Sequence, residues 1–133
     1  MSHDQKYNLI GIKNYFESRE DVLFAYLFGS LSKGRPSPLS DVDVAVFLRE
    51  GDLSGKRLEI LGHLMEILKT DEVDLVILNT APLPLRMTII QKKTLLADNE
   101  PFARHIFESA TTRTFLDFSQ IENRILKKRY IDG

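Results

Sequence analysis

The sequence lacks cysteine and has almost no net charge. The absence of cysteine excludes disulfide bonds, thiolate metal ligands and a cysteine nucleophile, and it fits the reducing cytoplasm in which we expect the protein to act. Eighteen Lys and Arg against nineteen Asp and Glu give a net charge of -1. Because there is no excess of basic charge, we do not expect direct binding to nucleic acid.

Long apolar runs are also missing. The longest stretches without Asp, Glu, Lys or Arg are 22–32 and 75–85, each of eleven residues. A membrane-spanning helix needs about 20 apolar residues, so we expect no membrane association. The first residues are polar and include an acid, which is not typical of a secretory signal. With 133 residues and no internal repeat, the chain is predicted to be one domain over 1–133.

Hydrophobic periodicity predicts helices and strands that alternate along the chain. Helices are predicted over about 7–19, 54–69, 82–92 and 99–130, and strands over Val22–Phe28, Val42–Leu48, Val73–Leu78 and Thr94–Ala97. This order predicts an α/β fold, a small mixed β-sheet flanked by helices, with a helical C-terminal part from about residue 99.

Two of the predicted helices come with expectations about which residues they bury. Ser54 is expected to cap the second helix, whose apolar stripe would be Leu58, Leu61, Met65 and Leu68. The last segment is either one long helix or two with a break near 111–114. Its apolar side is expected to lie mostly in the core, with part of it available as a protein interface, and consists of Phe102, Ile106, Ala110, Phe118, Ile121 and Ile125.

Five residues near the ends of the predicted strands carry the candidate chemistry. Gly29 and Ser30 follow the first strand directly, Asp41 and Asp43 lie two residues apart on the second, and Asp74 opens the third. Side chains two apart on a strand leave the same face, so these two carboxylates repel unless a cation lies between them. Mg²⁺ binds carboxylates together with substrate phosphates, and a glycine lets backbone N–H groups approach phosphate oxygens. The pattern predicts a metal–triphosphate site.

Each feature has a simpler interpretation when it is taken alone. Gly29-Ser30 could be an ordinary turn, Asp41 and Asp43 an exposed strand edge, and Asp74 a surface residue at a strand start. Together they indicate metal-assisted nucleotidyl or phosphoryl transfer. Asp74 would either complete the metal site or accept the proton of an attacking hydroxyl, and one or two metals could be held.

The pattern G-S, ten residues, then D-x-D resembles the signature of the DNA polymerase β-like nucleotidyltransferase superfamily. The resemblance implies that Gly29 and Ser30 hold the nucleotide phosphates. It also implies that Asp41, Asp43 and Asp74 are the catalytic acids that bind Mg²⁺. The motif covers about residues 24–78 of the chain.

In size and in its C-terminal part, the chain resembles the minimal, MNT-type nucleotidyltransferases, and among them the MntA-type antitoxins of HEPN/MNT toxin–antitoxin pairs. The resemblance implies transfer of AMP from ATP to a tyrosine of a HEPN ribonuclease toxin, which neutralises the toxin, and leaves open a hetero-oligomer with it. Two alternatives remain: a nucleotidyltransferase acting on a small molecule or nucleic acid, and an antitoxin that acts by steric blocking alone. No added domain for a small acceptor is apparent, which favours a protein acceptor.

Histidine and tyrosine residues show no catalytic pattern. His3, His63 and His105 lack metal-ligand spacing and are predicted to be surface or packing residues. No base is apparent beside any of the four tyrosines, so none is predicted to be a nucleophile.

Overall fold

A computed structural model describes residues 8–29 and 42–130, with side chains described up to residue 125. The elements, in chain order, are α1 (Leu9–Glu17), β1 (Val22–Phe28), β2 (Val42–Leu48), α2 (Leu53–Leu68), β3 (Val73–Ile77), α3 (Leu83–Lys92), β4 (Thr94–Asp98) and α4 (Pro101–Tyr130). The predicted α/β fold class is confirmed.

The four strands form one mixed sheet in the order β3-β2-β1-β4. Strand β1 is antiparallel to both of its neighbours, β2 and β4, whereas β2 and β3 are parallel. The two central strands are mostly buried on both faces, which agrees with the continuous apolar run of β1 and with the high valine content of β2, where Asp43 is the charged residue.

Helices cover both faces of the sheet. On one face, α1 and α2 pack through Ile12, Phe16, Ile60 and Leu64 against Val44 and other strand residues. On the opposite face, α3 and α4 pack through Ile89 and Phe107 against an aromatic and small-residue surface that contains Phe24, Tyr26 and Ala45. Alternate residues of β2 and β3 therefore belong to different layers, and the second layer is the one on the side of the candidate site.

The expected cap of α2 was wrong, and its expected apolar stripe was right only for Leu61 and Leu68, which pack in the core. The helix is capped by Asp52, whose Oδ1 accepts a hydrogen bond from the backbone N–H of Gly55 at 3.1 Å, and not by Ser54. Its buried side chains are Ile60, Leu64 and Leu68, while Leu58 is 69% exposed. The helix carries apolar residues at helical spacing on two neighbouring faces, and only packing against the sheet selects between them.

Helix α4 is continuous, with no break near 111–114. The expectation that its apolar side lies mostly in the core was wrong, because the described side chains that it buries are Phe107 and Thr111. The residues predicted to form that side are all exposed: Phe102, Ile106, Ala110, Phe118, Ile121 and Ile125. Among the described helices, none has both the length and the apolar character to cross a membrane.

Candidate active site

Gly29 turns the chain directly after β1 and lies against the carboxylate of Asp43. Its φ of +76° is in the left-handed region, where residues with a side chain are strained. A Cβ at this position would lie 2.4 Å from Oδ2 of Asp43. Both the backbone conformation and the lack of space therefore favour glycine here, and the predicted contact of its backbone with phosphate stays a prediction.

Asp43 and Asp74 are paired in register on the neighbouring parallel strands β2 and β3. In-register residues on adjacent strands have Cα atoms about 4.8 Å apart, and their side chains leave the same face. This face is the one that α3 and α4 cover, because Ala45 and Val76, two residues further along each strand, belong to that layer. Asp43 is only 9% exposed, whereas Asp74 is exposed on the edge strand.

The structure thus brings together three of the five predicted site residues. Gly29 lies against the carboxylate of Asp43, and Asp74 is the in-register neighbour of Asp43 on the next strand. Ser30 and Asp41 lie outside the described residues. Their roles, and the common face of Asp41 and Asp43, stay predictions.

The donor set at this point suits a hard divalent cation. Two carboxylates on one face, one of them nearly buried, repel each other, and a cation that accepts oxygen ligands offsets this repulsion. Within 8–29 and 42–125, no group of three or more acidic or histidine side chains is placed to hold a metal. Asp43 and Asp74 fit Mg²⁺ as two ligands, and substrate phosphates usually supply others.

A partly buried polar cluster on the same face links α4 to the sheet. The carboxylate oxygen Oε2 of Glu108 accepts hydrogen bonds from the Tyr26 hydroxyl and from Lys93 Nζ, both at 2.5 Å. Arg104 adds contacts of 3.4 and 3.5 Å to the Glu108 carboxylate. Tyr26 lies two residues before Phe28, the antiparallel partner of Asp43, so the cluster and Asp43 are on the same face of the sheet. Sequence reasoning missed it, because its members come from distant segments and form no motif.

Two tyrosines have polar partners that the sequence did not reveal. The hydroxyl of Tyr15 lies 2.7 Å from Nδ1 of His63 and accepts a hydrogen bond from Arg19 at 3.0 Å. Burial raises the pKa of Tyr15 although Arg19 opposes this effect, and burial followed by the Glu108 carboxylate raises the pKa of Tyr26 strongly. Both phenols are therefore held in their protonated form, and neither is an activated nucleophile.

Comparison with known proteins identifies the family and the fold. The sequence profile of the family described as "Polymerase beta, Nucleotidyltransferase" matches residues 11–102. No curated protein sequence shows significant similarity to the chain. The chain belongs to the polymerase beta nucleotidyltransferase family.

Solved structures with the same fold come from toxin–antitoxin complexes. A mutant MntA–HpeT complex is similar with a TM-score of 0.70 and 23% identity, over 91% of this chain and 95% of that one. A toxin–antitoxin with AMP-PNP has a TM-score of 0.69 and 24% identity, over 91% and 95%. The MNT antitoxin with the tri-AMPylated HEPN toxin of Shewanella oneidensis has a TM-score of 0.66 and 21% identity, over 96% and 98%.

Proposed function

We propose that the protein is an Mg²⁺-dependent protein adenylyltransferase that acts as an antitoxin. It transfers AMP from ATP to a tyrosine of a HEPN ribonuclease toxin and thereby neutralises the toxin. The observation that carries the proposal is the in-register pair Asp43 and Asp74 on one face of the sheet, with Gly29 directly against the Asp43 carboxylate. The similarity to antitoxins in complexes with a tri-AMPylated HEPN toxin and with AMP-PNP supports this choice of nucleotide and partner.

Each site residue has a role in this reaction. Asp41 and Asp43 hold Mg²⁺, which when bound neutralises charge on the triphosphate, and Asp74 is either a third ligand or the general base. The backbone at Gly29 and the hydroxyl of Ser30 hold the β- and γ-phosphates by hydrogen bonds. The phenolic oxygen of the acceptor forms a bond to the α-phosphorus, the bond from that phosphorus to the bridging oxygen breaks, and pyrophosphate leaves. The phenolic proton passes to a base, for which Asp74 is the candidate if it is not a metal ligand.

The acceptor tyrosine comes from another protein in this proposal. Tyr15 packs on the sheet face opposite to Asp43, and Tyr26 is buried and hydrogen-bonded to Glu108. Neither is therefore available as an acceptor at the site. The exposed position of Asp74 at the sheet edge leaves that side of the site open to a large substrate.

Intact-mass spectrometry tests the proposal directly. The product of the neighbouring gene, which the proposal expects to be a HEPN toxin, is incubated with the full chain, ATP and Mg²⁺, and its mass is measured before and after. We expect a gain of one or more AMP units on a tyrosine and loss of ribonuclease activity. Asp43→Asn should abolish the mass gain. Asp71→Asn, which removes the negative charge of an exposed side chain just before β3, should not change it.

Three outcomes would contradict the proposal, and the first two would each favour a named alternative. Toxin neutralised without any mass gain, and equally well by Asp43→Asn at stoichiometric amounts, would indicate steric blocking. AMP transfer from labelled ATP to a small molecule or a nucleic acid, but not to the toxin, would indicate a different nucleotidyltransferase. A mass gain on a residue other than tyrosine would exclude the proposed acceptor.

A further inference from the structure

The second half of α4 exposes an apolar stripe that continues the buried face of its first half. Phe107 and Thr111 face the core and are 8% and 3% exposed. The stripe continues on the same side of the helix with Thr114, Phe118, Ile121 and Ile125, and its three large side chains are 53%, 51% and 58% exposed. Within the described residues, no side chain of α4 beyond Thr111 is buried. The stripe thus has the composition of a buried helix face, but no described element of the chain covers it.

The spacing of this stripe is that of a coiled-coil seam. From Phe107 through Thr111 and the four stripe residues, the intervals alternate between four and three residues. A repeat of this kind keeps one seam directed at a partner helix. Charged residues flank the seam on one side at Asp117 and Arg124, seven residues apart, and Glu122 flanks it on the other.

These flanking charges favour one arrangement of two copies. In a parallel pair, Asp117 of one copy would face Glu122 of the other, so like charges would meet. In an antiparallel pair centred between Phe118 and Ile121, Asp117 faces Arg124 of the second copy, and this contact occurs twice. Shifting that pair by one repeat in either direction places Asp117 opposite Asp117, or Arg124 opposite Arg124.

We propose that the apolar stripe is a self-association surface, on which a second copy of this chain docks in antiparallel orientation. The seam has four layers, in which Phe118 packs on Ile121 and Thr114 packs on Ile125 of the other copy. Thr114 also lines a groove of about 470 Å³ between α3 and α4. Leu83 and Phe107 line the same groove. The C-terminal turns of the second helix would therefore reach the mouth of this groove.

Sedimentation velocity of the full chain over a range of concentrations tests the docking. Four layers are a small interface, so we expect a reversible dimer that dissociates at concentrations on the order of micromolar. Ile121→Glu should give a monomer at all concentrations. Leu58→Glu on α2 and Phe102→Glu at the start of α4, where the native side chains are 69% and 77% exposed, are matched controls that should remain dimeric.

Charge exchange tests the register and the orientation. Asp117→Arg or Arg124→Asp alone places like charges opposite each other twice and should weaken the dimer by roughly tenfold. The double variant Asp117→Arg/Arg124→Asp restores opposite charges and should recover the native dissociation constant. Equal weakening by the double and the single variants would overturn the proposed register.

Disulfide formation gives a readout that is independent of charge, because the chain has no cysteine of its own. A disulfide needs Cα atoms within about 7 Å. Thr114→Cys mixed with Ile125→Cys should therefore cross-link under oxidation, whereas either variant alone should not. A chain that stays monomeric throughout, or an Ile121→Glu variant that loses only binding to a different protein, would overturn the proposal.

Discussion

Asp43 leaves no room for a side chain at residue 29, because its Oδ2 would lie 2.4 Å from a Cβ there. We therefore expect Gly29→Ala to destabilise the fold by about 1–3 kcal/mol, through the positive φ and the clash, and to lower activity. Gly62→Ala is the matched control, since a Cβ at this exposed position in α2 meets nothing within 4 Å. It should stabilise by about 0.5–1 kcal/mol in urea denaturation. Equal stability of the two variants would contradict the close approach to Asp43.

The in-register position of Asp74 beside Asp43 predicts a role in holding Mg²⁺. Asp74→Asn should lower the rate of AMP transfer by at least about 100-fold, because several kcal/mol of charge stabilisation depend on the metal. Raising the Mg²⁺ concentration should restore part of this activity. A loss that Mg²⁺ does not relieve, together with a change in the pH–rate profile, would instead identify Asp74 as the general base.

The face of α2 that packs on the sheet is tested by two leucines of the same helix. Leu64 is fully buried and Leu58 is 69% exposed. Leu64→Ala should lower the free energy of unfolding by about 2–5 kcal/mol, whereas Leu58→Ala should change it by less than about 0.5 kcal/mol. Chemical denaturation measures both. A large loss of stability in Leu58→Ala would instead indicate that the face containing Leu58, which the sequence pattern favours, packs on the sheet.

The attachment of α4 should weaken in acid through Glu108. Burial opposes ionisation of this carboxyl, but hydrogen bonds from Lys93 and Tyr26 outweigh burial and lower its pKa from the usual 4.5. A lowered pKa contributes stability that is present above pH 4.5 and is lost as the pH falls through the value in the folded state. Glu108→Gln should thus be less stable than the native chain at neutral pH, and the difference should shrink below pH 4.5. A difference that is constant with pH would contradict this prediction.

Much of the fold was predictable because its signals are local. Strand β1 is a continuous apolar run that ends at a glycine, and β2 alternates and is rich in valine; their predicted bounds, Val22–Phe28 and Val42–Leu48, are confirmed. The positive φ of Gly29 is likewise a local property that glycine supplies readily, whereas the roles of the motif residues stay predictions. Family membership followed from this motif and its spacing, and the matching profile confirms it.

What the tertiary structure decided are the relationships between distant segments. The parallel pairing of β2 with β3 places Asp74 beside Asp43, and the packing of α4 brings Glu108 to Tyr26. Helical periodicity identified apolar residues on α2 and α4 but did not tell which of them meet the sheet. Leu58 and Phe118 are exposed although both continue an apolar pattern. Periodicity records only the side of a helix on which a residue lies, whereas burial also requires another element to cover that side, and that depends on the whole chain.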